Sequence, residues 1–365
     1  MTMTNVRLQQ LRRMVHREPS AQVWRSIRLC LEWIAPADQP MAVDYVVAHL
    51  SDWPAQARSH TIFDLEDWLL KPPIWWSAVG MLRIRSDLEV RQMEALARSP
   101  RLAHLGALDL ASCRLTSGSL VPLASSPHLC QLVELNLRDN TLGDEDIHAL
   151  ATSPHLPNLV HLILEGTQLG SDAAQILSTT THLPNLCMLD LRHNLIGDVG
   201  AGWLGESPLL SRLVSLHLSH NGIGDAGVYS LADGLNNTTD EAALLLLNLW
   251  GNAVGVPGAR ALMSVASARA LEHLDLGDNP LGDDGARAIA QATGLAGLRS
   301  MGLQWANIGD EGAKALARSP RLATFTTLDL SHNPIGPEGK QALSHASGVL
   351  LEGCPEPGPD SNGLG

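Results

Sequence analysis

The chain has 365 residues, of which 45% are hydrophobic but only 4% aromatic, so leucine and alanine must fill most of its interior. Its formal net charge is −13. Such acidity repels phosphate backbones and anionic bilayers, which argues against nucleic-acid binding and against attachment to a membrane surface. All of the excess lies after residue 78, because residues 1–78 contain eight acidic and eight basic side chains.

The cysteines indicate a reducing compartment. Five are present, an odd number without paired spacing, so we expect free thiols. They are Cys30, Cys113, Cys130, Cys187 and Cys354. The N-terminal arginines are not followed by the apolar stretch of a secretion signal, and no apolar run is long enough to span a bilayer. These features predict a cytoplasmic protein.

Residues 1–78 are predicted to form an α-helical block. Apolar residues recur at helical spacing over 4–17 and 20–35, and Ser20 is suited to cap the second helix. Shorter helices are expected near 40–50 and 61–70, before Pro72-Pro73 ends the block. Six of the nine tryptophans lie here: Trp24, Trp33, Trp53, Trp68, Trp75 and Trp76. They fit either a cap over an exposed core or a small domain with its own ligand.

A repeated phrase occupies residues 79–350. It has apolar residues at its first, fourth and sixth positions and usually Asn at its ninth, and most copies start 27 residues apart. The ten copies start at Val79, Leu105, Leu132, Leu159, Leu186, Leu213, Leu244, Leu271, Leu298 and Phe325. One interval of 31 residues implies an insertion near 236–240, and the Pro/Gly-rich residues 351–365 are predicted to be a disordered tail. A fixed period of this size is typical of a solenoid.

The phrase resembles one known family. Its core, L-x-x-L-x-L-x-x-N/C-x-(L/I)-G-D, followed by G-A-x-A-(L/I)-A, is similar to ribonuclease-inhibitor-like leucine-rich repeats. The resemblance implies an α/β fold: a right-handed solenoid, or horseshoe, with parallel strands on its concave face and helices on its convex face.

Two polar positions of the phrase are expected to serve the scaffold. The ninth residue can satisfy backbone groups where the chain leaves the sheet. Ala306 cannot, and with Trp305 and Asn307 beside it predicts an altered turn. Aspartate in the Gly-Asp pairs is expected to cap the outer helix, which explains part of the acidity. These pairs are Gly143-Asp144, Gly197-Asp198, Gly224-Asp225, Gly282-Asp283 and Gly309-Asp310.

The sequence contains no convincing catalytic or cofactor motif. Residues 200–205 match G-x-G-x-x-G, but Gly200 aligns with Gly227, Gly285 and Gly312 at the start of an outer helix. No P-loop, zinc spacing or nucleophile elbow is present. We therefore predict a protein that is not an enzyme and that needs neither a cofactor nor a metal.

Function is expected on the concave strand face, at positions three, five, seven and eight of each phrase. Trp250 and Trp305 project from this face, and four arginines accompany them: Arg83, Arg85, Arg138 and Arg192. Tryptophan and arginine dominate protein interfaces. Each tryptophan could instead lie flat on a neighbouring glycine, Gly277 or Gly251, and only cover backbone.

Histidines form a second group on this face. His193 and His220 share a column, His217 lies beside Asp190, and His161 is near. They could hold a metal or act as an acid/base pair, make a pH-sensitive partner contact, or be ordinary solvated surface.

The face mixes eight acidic residues with the four arginines, and opposite charges such as Arg138 and Glu165, or Glu165 and Arg192, adjoin. Such pairs stabilise little, and a basic or mixed-charge protein partner fits best. Asp190, Asp275 and Asp278 complete the predicted contact residues. The sequence thus predicts a protein-interaction scaffold. The alternatives are a regulator of an enzyme such as a small GTPase, by analogy with the family, and an enzyme using the histidines.

Overall fold

The structure is a computed structural model that describes residues 3–237 and 244–354, with side chains from residue 7 onward. Most of the predicted insertion near 236–240, and the predicted tail from residue 355, lie outside the described residues. The chain divides into two compact units. The first comprises Met1–Thr167 with Thr181–Leu186, and the second comprises Gln168–Thr180 with Cys187–Gly365.

The N-terminal block of the first unit is mainly helical, as the apolar spacing predicts. Ser20 caps the second helix, because its Oγ accepts a hydrogen bond from the Val23 amide at 3.2 Å. The structure adds a strand that the sequence did not indicate: β1 pairs in parallel with β2, the first strand of the repeats, and Ser59 lies opposite Met81. The elements are α1 (Met3–Met14), α2 (Ala21–Glu32), α3 (Gln39–His49), β1 (Ser59–Ile62) and α4 (Leu65–Leu70).

The tryptophans of this block mostly form a core. Five of the six are buried, and Trp33 is 67% exposed. The rings of Trp68 and Trp76 meet edge to face at 4.7 Å. Trp76 Nε1 also donates to the Arg101 carbonyl at 3.2 Å, which joins the block to the first repeats. Five of the six rings therefore lie in the core of the block, and Trp33 does not.

Parallel strands alternate with helices through the rest of the first unit. Each strand begins at the third position of its phrase, and neighbouring strands keep the same register, so that Ala107 lies opposite Glu134. The elements are β2 (Met81–Ile84), α5 (Val90–Ala97), β3 (Ala107–Asp109), α6 (Val121–Ala124), β4 (Glu134–Asn136), α7 (Asp144–Ala151) and β5 (His161–Ile163).

The second unit repeats this arrangement. The predicted alternation of parallel strands and helices is thereby confirmed. Its elements are α8 (Ser171–Ser178), β6 (Met188–Asp190), α9 (Gly197–Gly205), β7 (Ser215–His217), α10 (Asp225–Asn237), β8 (Leu246–Asn248), α11 (Val256–Met263), β9 (His273–Asp275), α12 (Gly282–Ala290), β10 (Ser300–Gly302), α13 (Asp310–Ala317), β11 (Thr327–Asp329), α14 (Pro337–Leu343) and β12 (Val349–Leu350).

The apolar positions of the phrase form the core. Leu271, Leu274 and Leu276 are at most 1% exposed, and burying one such side chain stabilises the fold by about 1.5–3 kcal/mol. The ninth residue serves the backbone as predicted, because Asn279 Nδ2 donates to the carbonyls of Leu249 and Leu276. Repetition of this phrase along the chain produces the row of parallel strands.

Ala306 alters its turn, as predicted. Elsewhere a backbone amide of the preceding repeat donates to the Asn side chain, as Val254 does to Asn279 at 2.9 Å. The equivalent amide, that of Leu281, instead donates to the Asn279 carbonyl at 2.8 Å. Alanine offers no acceptor, so the turn closes locally.

Four of the five aspartates of the Gly-Asp pairs cap a different helix from the predicted one. Asp283 Oδ1 accepts hydrogen bonds from the amides of Gly309 and Gly312, at the start of α13 in the next repeat. Asp198, Asp225 and Asp310 make the same pair of bonds, each to the helix that follows its own. Each carboxylate thus joins successive repeats.

The last residues described correct the predicted boundary of the tail. Strand β12 pairs in parallel with β11, and Cys354 is only 5% exposed. Its Sγ donates to the Leu330 carbonyl at 3.4 Å, as Cys113 Sγ does to Ile84 at 3.3 Å. Residues 351–354 therefore end a partial eleventh repeat, in which cysteine takes the place of the usual asparagine.

Candidate protein-binding face

The candidate site is the surface formed by positions three, five, seven and eight of each phrase, here called the sheet face. Its eighth residue adopts a left-handed backbone, as His220 (φ 53°) and Trp305 (φ 58°) do. This backbone directs the side chain over the next repeat: a Cβ atom on Gly251 would lie 2.5 Å from the His220 ring. Side chains at the eighth position are therefore stacked along the sheet, which the strand period alone does not predict.

In the first unit, the arginines of the sheet face are held by carboxylates. Arg85 makes two hydrogen bonds to Asp109, at 3.1 and 2.6 Å. Arg83 approaches the same carboxylate at 3.5 Å. The bond to Asp109 raises the pKa of Arg85. Asp109 is only 4% exposed, so it positions the two guanidinium groups.

The predicted pair of Arg138 and Glu165 is confirmed, with a separation of 3.3 Å. Arg138 also bonds Asp139 at 3.1 Å, and His161 lies 3.8 Å from Glu134. Glu165 is 5% exposed, so its carboxylate helps to position Arg138. Every acid on the sheet face of this unit therefore has a basic side chain within 4 Å.

The second unit begins with a similar pair. Arg192 Nε lies 2.9 Å from Asp190 Oδ1, and Arg192 Nη2 lies 2.6 Å from Oδ2. Asp190 is 3% exposed, so it too orients an arginine and does not reach a partner. His217 Nε2 shares a hydrogen bond of 2.8 Å with Ser215 Oγ on the same strand.

His193 and His220 stack face to face, with ring centres 4.3 Å apart and planes 20° from parallel. Burial and the neighbouring His193 lower the pKa of His220. In stacked rings the nitrogen lone pairs lie in separate planes and do not converge on one ion. No group of three metal-ligating side chains occurs among residues 7–237 and 244–354. The geometry favours a contact surface over a metal site.

The two predicted anchor tryptophans differ. Trp250 is half-buried and meets the His220 ring at 4.5 Å. A Cβ on Gly277 would lie 2.4 Å from its Cδ1, so it covers that glycine as the alternative interpretation proposed. Trp305 is 57% exposed and stacks on His332 at 4.5 Å and 10°. Trp305 is thus the better presented of the two rings.

A recess of about 250 Å³ opens on the sheet face between β8 and β11, here called the hollow. Gly302 lies in its floor at a fifth position, between Asp275 and Asp329 on the adjacent strands. Glycine leaves a gap where other strands carry a side chain. The hollow is lined mainly by Asn248, His273, Asp275, Ser300, Gln304 and Asp329.

The hollow contains two carboxylates, and no basic side chain of the described residues pairs with them. Asp275 Oδ1 accepts a bond from the Gly277 amide, and Asp329 accepts one from Gln304 Nε2 at 2.9 Å. Burial, opposed by the Gly277 bond and assisted by the charge on Asp329, raises the pKa of Asp275. Gln304 Oε1 is enclosed and accepts no hydrogen bond from the part of the chain that is described.

No Lys, Arg or His nitrogen of the described residues lies within 4.0 Å of the carboxylates of Asp275, Asp278 or Asp329. These three acids differ from those on the sheet face of the first unit, each of which has a basic side chain within 4 Å. The sequence pattern predicted Asp275 and Asp278 as contact residues and placed Gln304 and Asp329 on the same face without selecting them, and it did not predict the hollow. Glycine at a fifth position, where the strand otherwise carries a side chain, was the available signal.

A sequence model described as a leucine-rich repeat matches residues 128–151, 212–232, 268–290, 298–317 and 321–344. These segments follow the phrase and the strand-helix pairs already described. The chain is a leucine-rich-repeat protein. No curated protein sequence matches it, and none of its described helices has the length and apolar composition needed to cross a membrane.

Two solved structures align with much of the chain. The structure of the yeast Rad7 and Elc1 complex aligns with a TM-score of 0.58 and 14% identity, over 94% of this chain and 91% of the other. An internalin, InlF, from Listeria monocytogenes aligns with a TM-score of 0.40 and 17% identity, over 82% and 94%. At this identity the first match supports the fold alone.

Proposed function

We propose that this leucine-rich-repeat protein is a non-enzymatic interaction scaffold whose sheet face in the second unit binds a protein or peptide. The observation that carries the proposal is the hollow: its carboxylates have no basic side chain within 4.0 Å in the described chain. Gln304, which lines the hollow, lies beside Trp250 over Gly277 and directly precedes Trp305 in the sequence. Buried or crowded charges are costly unless paired, so an acidic hollow is best satisfied by a cation from outside.

The chemistry of the site favours a basic segment of the partner. A lysine or arginine side chain entering the hollow would meet Asp275 and Asp329, and its stem would lie against the indole rings. The shared fold with Rad7, which is found in complex with Elc1, is compatible with a protein partner. We also place the chain among the ribonuclease-inhibitor-like repeats, on its period of 27 residues.

Regulation of an enzyme is a narrower form of the same proposal. An arginine inserted into the active site of a GTPase would need a free guanidinium group. Arg83, Arg85, Arg138 and Arg192 all bond carboxylates of their own chain, so binding alone is the function that the geometry supports. None of the five cysteines forms a disulfide in the structure, which fits the reducing cytoplasm that we propose for the protein.

The test is capture of partners from native lysate by the wild-type chain and by a Trp305→Ala, Asp329→Asn variant. We expect the variant to lose a partner that carries a basic segment. A control substitution of an exposed residue, Arg287→Ala on α12, should retain that partner. Identical protein sets from all three baits would contradict the proposed site.

A further inference from the structure

A second recess lies away from the sheet face, between α1 and α2 of the N-terminal block. It has a volume of about 490 Å³ and is here called the cap groove. Arg7, Arg13 and Arg17 line one side, and Leu29 and Trp33 line the other. The two sides are tied together, because Cys30 Sγ donates to the Arg7 carbonyl at 3.3 Å.

The apolar side of the cap groove is unusually exposed. Leu29 is 52% exposed and Trp33 is 67% exposed, although the other five tryptophans of the block are buried. The Arg7 guanidinium lies 4.9 Å from the centre of the Trp33 ring. A large ring left in water beside arginines has the composition of an interface hot spot. Capping the repeats does not account for it.

The arginines of the cap groove are not paired with acidic side chains of the described residues. Among side chains of residues 7–237 and 244–354, no carboxylate lies within 4.0 Å of Arg7, Arg13 or Arg17. The nearby Glu32 instead accepts a hydrogen bond from Trp75 Nε1 at 3.0 Å. Within a block whose acidic and basic residues balance, the groove therefore concentrates positive charge.

We propose that the cap groove binds an acidic, amphipathic segment of a partner protein. An apolar side chain of that segment packs on Leu29 and Trp33, and its carboxylates bond the arginines, whose planar guanidinium groups suit two-point contacts with carboxylate. Arg7 and Arg13 are six residues apart on α1, or about 9 Å along the helix. A segment of two helical turns spans that distance.

An anionic bilayer is the competing occupant, and the shape of the groove disfavours it. The groove is recessed between helices, whereas a bilayer requires a projecting apolar face.

The experiment is selection from a displayed library of random peptides on the full chain, followed by affinity measurement on the enriched peptides. We expect Asp or Glu combined with Leu, Phe or Trp. The variant Arg7→Glu, Arg13→Glu, Arg17→Glu should weaken binding roughly tenfold or more, and so should Trp33→Ala, which leaves the charges intact. The charge-matched control for the triple variant reverses three exposed arginines away from α1 and α2, Arg91, Arg98 and Arg318, and should bind as wild type.

Circular dichroism and urea unfolding verify that each variant is folded. Enriched peptides without acidic residues, or peptides that bind the charge-reversed variant as well as wild type, would overturn the proposal. Wild type is also sedimented with vesicles of phosphatidylcholine and phosphatidylserine. If it binds them and the charge-reversed variant does not, the groove belongs to a membrane and the peptide assignment fails. The peptides should bind a Trp250→Ala, Trp305→Ala variant normally, which keeps this result independent of the sheet face.

Discussion

Asp109 and Asp275 occupy the same fifth position of their phrases but differ in what surrounds them. Asp109 faces Arg83 and Arg85, whereas Asp275 has no cation of the described chain within 4.0 Å and faces Asp329 across Gly302. The first carboxylate is satisfied within the fold. The second is charged without a basic partner in the described chain, which lowers the stability of the fold. Residues retained for function often carry such a cost.

This difference predicts opposite effects of the same substitution. The pKa of Asp275 is raised in the folded chain, so its charge destabilises the fold at every pH above its ordinary value. Asp275→Asn should therefore raise the free energy of unfolding by up to about 1 kcal/mol, while weakening partner binding. Asp109→Asn removes the counter-charge of two arginines and should lower stability by about 1–3 kcal/mol. Urea titrations measure both, and a loss of stability in Asp275→Asn would contradict the account.

His60 predicts acid sensitivity of the N-terminal block. Its Nδ1 accepts a hydrogen bond from Arg28 at 3.0 Å, and burial, with the charge of Arg28, lowers its pKa from 6.5 to about 4. Stability from neutral His60 is thus fully present above pH 6.5 and is lost as the pH falls toward about 4. His60→Gln keeps an acceptor but does not titrate. The free energy of unfolding of this variant, followed by tryptophan fluorescence, should fall less than that of the wild type between pH 6.5 and about 4. An equal dependence on pH in the two proteins would refute the assignment.

At the scale of the elements, the unit of stability is the junction between repeats. Asp283 bonds the amides of Gly309 and Gly312, and a Cβ on Gly312 would lie 2.6 Å from Asp283 Oδ1. Aspartate in one repeat and glycine in the next are therefore a matched pair. Part of the acidity of the chain therefore belongs to this scaffold and not to a binding surface.

A pair of adjacent substitutions tests this junction. Asp283→Ala leaves two amides at the start of α13 without their acceptor and should lower the free energy of unfolding by about 1–3 kcal/mol. Asp284→Ala removes only an exposed pair with Arg287 and should cost less than about 1 kcal/mol. Equal losses in urea unfolding would show that the carboxylate is not a junction.

The period of the phrase predicted the strands, the buried leucines and the asparagine turns, because these depend on spacing alone. It did not predict which helix Asp283 caps, since a carboxylate can reach either its own helix or the next one. Stacking of His193 on His220 follows from a left-handed backbone at the eighth position, which the strand pattern does not encode. The hollow could not be predicted from the strand pattern, because it forms where Gly302 leaves a space between the side chains of Asp275 and Asp329 on adjacent strands.

For the whole molecule, charge is distributed unevenly in a way that the total of −13 conceals. Arginines and acids are paired on the sheet face of the first unit, Asp275, Asp278 and Asp329 have no basic side chain of the described residues within 4.0 Å on that of the second, and the arginines of the cap groove have no carboxylate of the described side chains within 4.0 Å. A scaffold with two such surfaces can bind a basic and an acidic segment at once. Each surface lies within one compact unit, so neither requires a particular arrangement of the two.

The basic partner proposed for the sheet face should bind with marked salt dependence. Raising NaCl from about 50 to about 500 mM shortens the screening length severalfold, so the dissociation constant should rise. An Asp275→Asn, Asp329→Asn variant should bind more weakly and respond less to salt. A salt response that is the same in both proteins would place the charged contacts elsewhere.

The central claim, that the hollow contacts a basic segment of a partner, is tested most directly by site-specific photocrosslinking. Benzoylphenylalanine is introduced at Ser300, which lines the hollow, or at Arg287, on α12. The account predicts that the partner crosslinks from position 300 through a lysine- or arginine-bearing segment, that it does not crosslink from position 287, and that Asp275→Asn with Asp329→Asn abolishes the product. Crosslinking from position 287 alone, or equally from both positions, would contradict it.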